Sequence, residues 1–399
     1  MKIKKLSVKY HPTGLEIQNV EFDDTLSLLV GISGVGKTSI LSAINDLKNI
    51  VVYGVSINGF EWTVNFEVNN IDYIWGGRFE YVEENPFYKV NKMFNSNSKE
   101  PEYKIIDEVL FVNCDKIINR NNEFILFKNN KTVKLKPTAS VLHLLQEEDE
   151  IFKIFDSFDK IHTIKNSDYS NNFWSLVDER FHLLTKKDMD INDIRSSLDT
   201  DNIIERTYLC QLKDADVFFD FVQTYKEIFP YVEDLKVESI NLIGRYNDSG
   251  LGQLIIRIKE YDVDHWINHD AISTGMLKTL IHLAYIYFSQ KGTVFLIDEF
   301  ENGFGVNCIN SISDRVLNSK DDYQYIITSH HPYIINNIPV KKWKIVNRSK
   351  NIITAESATK HIDASNHDAF IKLINSNFYT QGVEVNSNNN DLTEDDLYS

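Results

Sequence analysis

A segment near the N-terminus has the residue types and spacing needed to bind phosphate groups. Gly31–Thr38 (GISGVGKT) matches GxxxxGK[ST], follows the apolar run Leu26–Val30 and precedes a predicted helix that starts at Lys37. The glycines let backbone N–H groups wrap around phosphate oxygens, and the helix N-terminus adds a favourable dipole. Lys37 would bind the β- and γ-phosphates, and the Thr38 hydroxyl would ligate Mg²⁺. The loop residues expected to contact a nucleotide are Gly31, Ser33, Gly34, Val35, Gly36, Lys37, Thr38 and Ser39.

Two adjacent carboxylates follow a second apolar run. Val294–Ile297 (VFLI) is typical of a buried strand, and Asp298 and Glu299 come directly after it. Asp298 would hold Mg²⁺, and Glu299 would polarise the attacking water as a general base. The alternative, two solvated acids at a strand end, is less favoured because the phosphate-binding loop is present. The sequence therefore predicts an ATPase that uses ATP and Mg²⁺.

Two further motifs flank these carboxylates along the chain. Ser273 and Gly275 lie at the start of a predicted helix, and Ser273 is 25 residues before Asp298. A serine and a glycine at a helix N-terminus can form a second phosphate-binding site, although a simple serine N-cap is the alternative. After Glu299, the segment Thr328–Pro332 (TSHHP) ends another apolar strand and places two histidines there.

In this order, the four motifs resemble those of the ABC-type ATPases of the SMC, RecF and OLD group. The resemblance covers residues 1–50 and 265–335. It implies that two or more copies of the chain hold ATP between them, with Ser273 and Gly275 facing the partner's nucleotide as the signature motif. It also implies that His330 is the switch histidine at the γ-phosphate, with His331 as the alternative. Lys37, Glu299 and His330 would then be the catalytic residues.

The compact form of the chain is similar, more narrowly, to the small AAA ATPase subunits of bacterial anti-phage systems such as PARIS and Septu. This resemblance implies a nucleotide-dependent switch or scaffold for a separately encoded effector, a nuclease or a toxin. Asn302 and Gly303 would form the D-loop. Gly305 stands where the group usually has an aspartate, so the sequence departs from the pattern at that position.

The rest of the chain predicts an α/β fold: a P-loop ABC-type ATPase core with an antiparallel β-lobe and an inserted helical lobe. Alternation with period two from Trp62 to Val68 indicates a strand, and Asn69-Asn70 and Gly76-Gly77 are predicted turns. From Val141 to about Phe229 the apolar spacing is helical. The predicted parts are 1–136 with the P-loop and β-lobe, 137–235 as an acidic helical insert, 236–385 with the other motifs, and 386–399 as a disordered acidic tail.

Charge and composition limit the function classes. The net charge is −16, and residues 141–235 alone hold 21 Asp/Glu against 10 Lys/Arg. An acidic surface disfavours nonspecific nucleic-acid binding, although it does not exclude a local basic groove. No apolar run reaches the roughly 18 residues needed to span a bilayer, and the three cysteines form no CxxC pair. We therefore expect a cytoplasmic protein without a membrane partner.

Two alternative functions remain open from the sequence. A RecF-like DNA-repair ATPase would clamp duplex DNA in its closed dimer. A scaffold would keep ATP bound without hydrolysing it, which an intact Glu299 argues against. Because only 69 residues follow His330, we expect no OLD-type Toprim nuclease there.

Several other residues carry only weak assignments. Gln146 is a candidate for the Q-loop glutamine, and Tyr10 and His11 are candidates for adenine contact. Thr185–Asp188 (TKKD) matches a guanine-reading motif, but it lies before the Asp298 strand rather than after it. A group of acids and histidines could ligate a metal, although a solvated loop is the better interpretation. Its members are Asp262, Asp264, His265, His269 and Asp270.

Overall fold

The computed structural model describes residues 1–83, 101–164, 175–177, 179–196, 202–241, 252–302, 304, 306–317 and 322–361. The predicted acidic tail, Gly303 and Gly305 lie outside the described residues. The strands are β1 (Lys2–Tyr10), β2 (Leu15–Glu21), β3 (Leu26–Val30), β4 (Phe60–Val68), β5 (Ile71–Phe79), β6 (Ile105–Val112), β7 (Asp115–Arg120), β8 (Ile125–Phe127), β9 (Asn130–Lys131), β10 (Ile161–Ile164), β11 (Ser175–Val177), β12 (Val232–Asn241), β13 (Gly252–Glu260), β14 (Ile267–Asn268), β15 (Val294–Ile297), β16 (Gln324–Thr328), β17 (Trp343–Ser349) and β18 (Ile352–Ser357). The α-helices are α1 (Lys37–Val52), α2 (Val141–Leu144), α3 (Asp149–Asp159), α4 (Glu179–Lys186), α5 (Ile191–Ser196), α6 (Ile203–Lys213), α7 (Ala215–Ile228), α8 (Thr274–Phe288), α9 (Val306–Leu317) and α10 (Pro332–Asn337).

The chain divides into two compact units. The P-loop unit comprises residues 3–158 and those from 339 onward, and the signature unit comprises residues 1–2 and 159–338. In the P-loop unit, the strands lie side by side in the order β3-β17-β18-β2-β1-β4-β5-β6-β7-β8-β9. β3 pairs parallel to β17, whereas each neighbouring pair from β4 to β9 is antiparallel. A mixed sheet therefore continues into the predicted antiparallel lobe.

The signature unit contains two sheets of different kinds. β10, β15 and β16 pair in parallel, and β15 carries Asp298 and Glu299 at its C-terminal end. A smaller antiparallel sheet has the order β11-β13-β12, with β14 also on β13. The unit combines strands with helices, and the predicted α/β class is confirmed.

Burial explains why the motif-bearing strands form where they do. All five residues of β3 and all four of β15 are buried, as expected for strands covered on both faces. In β4 every second residue from Phe60 to Val68 is buried, which matches the period-two alternation. The rings of Trp62 and Trp75 lie 5.0 Å apart in this aromatic core.

The predicted turn at Gly76-Gly77 is wrong, because both residues lie inside β5. Gly77 pairs with Trp62 of β4, and a Cβ on Gly77 would lie 2.7 Å from the Trp62 indole. The glycine therefore makes room for a large neighbouring ring rather than a change of chain direction. The turn predicted at Asn69-Asn70 is present, and both residues have positive φ, 51° and 63°.

The predicted helical stretch from Val141 to about Phe229 is interrupted by two strands. β10 (IHTI) pairs in parallel with β15, and β11 pairs with β13. Periodicity cannot distinguish a run of four residues such as β10 from a helix segment. Here a partner strand more than 100 residues away along the chain decides the conformation of β10.

Candidate functional site

The phosphate-binding loop is built by two glycines with left-handed backbone conformations. Gly34 has φ 85° and Gly36 has φ 102°, a region that side chains with a Cβ rarely adopt. A Cβ on Gly36 would lie 2.2 Å from Ile353 Cδ1, and one on Gly31 would lie 2.7 Å from the Val346 carbonyl oxygen. Both positions therefore require glycine for packing. At Gly34 no atom lies within 4 Å of the Cβ position, so this side of the loop is open.

Lys37 folds back over the loop that precedes it. Its Nζ donates to the carbonyl oxygens of Gly31 and Ile32, at 2.8 and 3.0 Å. Thr38 is exposed in the first turn of α1, and that turn contains no acidic residue. An exposed helix N-terminus, a lysine and an open glycine loop fit a phosphate group, and the hydroxyl of Thr38 suits the Mg²⁺ that accompanies it.

The hydroxyl of Thr328, at the end of β16, links the carboxylate of Asp298 to the backbone of Glu299. It donates to Asp298 Oδ1 at 2.6 Å and accepts from the Glu299 N–H at 2.8 Å. Glu299 has φ 49°, an uncommon conformation for a residue other than glycine, and its side chain is exposed. The chain thus turns sharply at the end of β15 and presents the expected general base to solvent.

A buried lysine, which sequence reasoning missed, reaches the same turn. Lys278 is only 4% exposed and its Nζ donates to the Asn302 carbonyl oxygen. Asn302 in turn donates through Nδ2 to Glu299 Oε2 at 3.1 Å. Burial lowers the pKa of Lys278, while the nearby charge of Glu299 raises it. The only sequence signal for this link was a lysine among the largely apolar residues of α8.

The expected signature motif lies at the exposed N-terminus of α8. Ser273 caps this helix, and its Oγ accepts from the Met276 N–H at 3.4 Å. Ser273 and Thr274 are exposed and Gly275 is partly exposed. The serine therefore acts as an N-cap, and the helix end also has the exposure that phosphate binding requires.

Of the two candidate switch histidines, His330 contacts the carboxylate segment. The His330 N–H donates to Glu301 Oε1 at 3.1 Å, and Nδ1 lies 3.2 Å from the same oxygen. His331 is the N-cap residue of α10, and its N–H donates to Ser329 Oγ. The Glu301 contact is a second feature that the motifs did not indicate.

The weaker candidates have other surroundings. The Tyr10 hydroxyl donates to Asp46 Oδ2 at 2.7 Å, and His11 Nε2 lies 3.4 Å from Glu61 Oε2. Gln146 lies in the turn after α2. Among the described residues, no three His, Cys, Asp or Glu side chains are arranged to hold a metal ion, including those near His265.

Comparison with one solved structure shows the fold. The chain is similar to a crystal structure of an SMC head bound to the C-winged helix domain of ScpA, with a TM-score of 0.52, 13% identity, and coverage of 91% of this chain and 100% of that chain. It also matches the SMC head domain from Thermotoga maritima at a TM-score of 0.42, with 11% identity over 91% and 100% of the two chains. An SMC head with an extended coiled coil, bound to the C-terminal domain of ScpA derived from Pyrococcus furiosus, gives 0.41, with 12% identity over 94% and 99%.

The fold is similar to that of an SMC head, and the chain contains a complete phosphate-binding loop motif. Residues 26–336 match the family model described as "AAA domain, putative AbiEii toxin, Type IV TA system", and the chain belongs to this family. No curated protein sequence matches the chain. The described residues include no helix both long and apolar enough to cross a membrane.

Proposed function

We propose that the protein hydrolyses ATP and uses the reaction as a switch. The observation that carries the proposal is the arrangement of Asp298 and Glu299 about the Thr328 hydroxyl, in a chain with a complete P-loop. In this proposal Lys37 binds the phosphates, Thr38 and Asp298 hold Mg²⁺, and Glu299 orients the attacking water. The ion would neutralise charge on the phosphates, and the protein would position the nucleophile.

We further propose that two or more copies of the chain assemble around ATP. The exposed N-terminus of α8, with Ser273 and Gly275, offers backbone N–H groups to a phosphate of the partner's nucleotide. Assembly through nucleotide would explain why the serine-capped end of a largely buried helix remains exposed. The switch residue at the γ-phosphate would be His330.

The helices α4 to α7, within the predicted acidic insert (137–235), are our candidate for the surface that engages an effector. These helices pack on α8: Arg195 Nε donates to the Tyr287 carbonyl oxygen at 2.7 Å, and the rings of Phe221 and Phe288 lie 5.1 Å apart. An effector bound to these helices could therefore change the position of α8, which carries Ser273 at its N-terminus. The family description names a toxin–antitoxin system, and one similar SMC head is bound to a separate protein, ScpA. Both support a separately encoded effector, and we propose a role in anti-phage defence.

The first test combines ATP turnover with solution mass. Lys37→Ala should lose ATP binding, while Glu299→Gln should bind ATP but turn it over about 100-fold more slowly, since a positioned base contributes about that much. The mass of Glu299→Gln by light scattering should rise with Mg-ATP. Turnover that survives Lys37→Ala would refute the hydrolysis proposal. Turnover that is indistinguishable between wild type and Glu299→Gln would favour the non-hydrolysing scaffold. A mass fixed at one subunit would refute assembly.

The defence role has a separate test in cells. The gene with its native flanking genes should reduce phage plaque counts, and the Lys37→Ala allele should not. Equal plaque counts with both alleles would contradict the role. ATP-dependent binding of duplex DNA by the purified protein at low salt would instead favour the RecF-like alternative.

A further inference from the structure

Glu301 is a buried carboxylate two residues after the expected general base. Its side chain is only 9% exposed, whereas that of His330, its neighbour in space, is 57% exposed. Oε1 receives the His330 N–H and lies 3.2 Å from the Nδ1 atom of the ring. Within the described part of the chain, Oε2 is buried without a hydrogen-bond partner.

The backbone holds Glu301 and His330 opposite each other. Phe300 N–H donates to the Thr328 carbonyl oxygen at 3.0 Å, and Glu299 N–H donates to the Thr328 hydroxyl. These two bonds set the register between the segment after β15 and the segment after β16. The carboxylate of Glu301 is therefore placed on His330 by the same turn that presents Glu299.

A buried carboxylate with one unpartnered oxygen is unfavourable for stability, and an apolar side chain of similar volume is often as stable or more stable at such a site. A contact that only fixed the backbone at His330 would not need a charged side chain at position 301. A carboxylate is, however, an acceptor only, so it selects the ring form with a proton on Nδ1. This leaves Nε2 as the ring nitrogen that Glu301 does not engage.

We propose that Glu301 is a positioning residue that fixes the ring orientation and the Nδ1 proton of His330, so that Nε2 is presented to the terminal phosphate of ATP. The inference rests on the proposed ATPase function, in which His330 is the switch residue. In this proposal Glu301 acts through His330 and not on the nucleotide directly. Because Glu299 and Glu301 share one turn, the general base and the switch histidine are set by a single segment.

The test separates positioning from folding with two variants. Glu301→Leu removes the acceptor at similar volume, and Glu301→Gln keeps an acceptor without the charge. We expect Glu301→Leu to unfold at the same denaturant concentration as wild type or higher, to bind ATP within about threefold, and to lower kcat about tenfold. Glu301→Gln should recover part of the loss. In a His330→Ala background, Glu301→Leu should cause no further loss.

Several kinetic results would overturn the inference. One is an unchanged kcat in Glu301→Leu. A second is the same tenfold loss in the His330→Ala background, because the two effects would then be independent. A third is a large loss of ATP affinity with unchanged kcat. If His330→Ala itself keeps wild-type turnover, the proposed role of His330 fails instead.

A readout that does not need turnover keeps the inference testable if the protein hydrolyses no ATP. In protein labelled with ¹⁵N-histidine, with His330 assigned through the His330→Ala spectrum, the wild-type ring should carry its proton on Nδ1. In Glu301→Leu the neutral ring should shift to the Nε2-protonated form. A wild-type ring already protonated only on Nε2 would refute the positioning role directly.

Discussion

Gly36 allows the packing of the P-loop to be tested by one added methyl group. Gly36→Ala would force an alanine into φ 102°, and its Cβ would lie 2.2 Å from Ile353 Cδ1. The left-handed backbone costs about 1–2 kcal/mol, and overpacking costs typically about 1–3 kcal/mol more. We expect Gly36→Ala to reduce the free energy of unfolding of the P-loop unit by about 2–5 kcal/mol.

Gly34→Ala is the matched control. Gly34 has a similar φ of 85°, but its Cβ would meet no atom within 4 Å. It should therefore cost only the backbone contribution of about 1–2 kcal/mol. The difference between the two variants isolates the contact with Ile353.

The assay is urea unfolding of the nucleotide-free protein, followed by tryptophan fluorescence, for both variants and for Ile353→Val. Ile353→Val removes Cδ1 and should cost about 0.5–1.5 kcal/mol alone. The double variant Gly36→Ala/Ile353→Val should have a free energy of unfolding at least about 1 kcal/mol larger than that of Gly36→Ala alone, because the closest overlap is relieved. Equal destabilisation by Gly34→Ala and Gly36→Ala, or additive effects in the double variant, would refute the packing argument.

Two further predictions concern the signature unit. Thr328→Val should lower kcat for ATP about tenfold or more with ATP affinity unchanged, because the Glu299 N–H loses its buried acceptor. Thr328→Ser is its control and should keep most activity; equal turnover in both would contradict the role of the hydroxyl. Burial lowers the pKa of His282 to about 3 in the folded protein, against 6.5 in the unfolded chain. Between these pH values the unfolded chain binds the proton and the folded protein does not, so the free energy of unfolding falls as pH falls from 6.5 towards 3. Between pH 7.5 and 5.0, urea unfolding should show wild type losing about 2 kcal/mol more than His282→Leu, and parallel losses would disprove it.

Local motifs were predictable because their residues lie close together in the chain. Leu26–Val30 forms a strand, and α1 starts at Lys37 and α8 at Thr274, all as predicted. Each of these elements carries its own pattern: β3 is a short apolar run before glycine, α1 follows the glycine-rich loop, and α8 follows the serine that caps it. Propensity and capping decide such elements locally.

Features that depend on distant partners could not be predicted in the same way. In the sequence Gly77 indicates a turn, and only the structure shows that the Trp62 ring lies beside it. Lys278 and Glu301 acquire their roles only through Asn302 and His330, which other elements bring to them. A single sequence contains no periodicity that reports such pairings, and short apolar strands such as β10 are equally ambiguous.

The tryptophans that the structure describes differ in burial between the two units, so their fluorescence can distinguish the units. Among the described residues of the P-loop unit, Trp62, Trp75 and Trp343 are each at most 1% exposed. Trp266, in the signature unit, is partly exposed, and Lys236 Nζ lies 4.1 Å from the centre of its ring. An aqueous quencher such as iodide reaches an indole only where solvent does, so it would dim Trp266 while the buried three keep emitting. Among the four tryptophans that the structure describes, the quencher-resistant emission therefore comes from the P-loop unit and the quenchable emission from Trp266 in the signature unit, without any added dye.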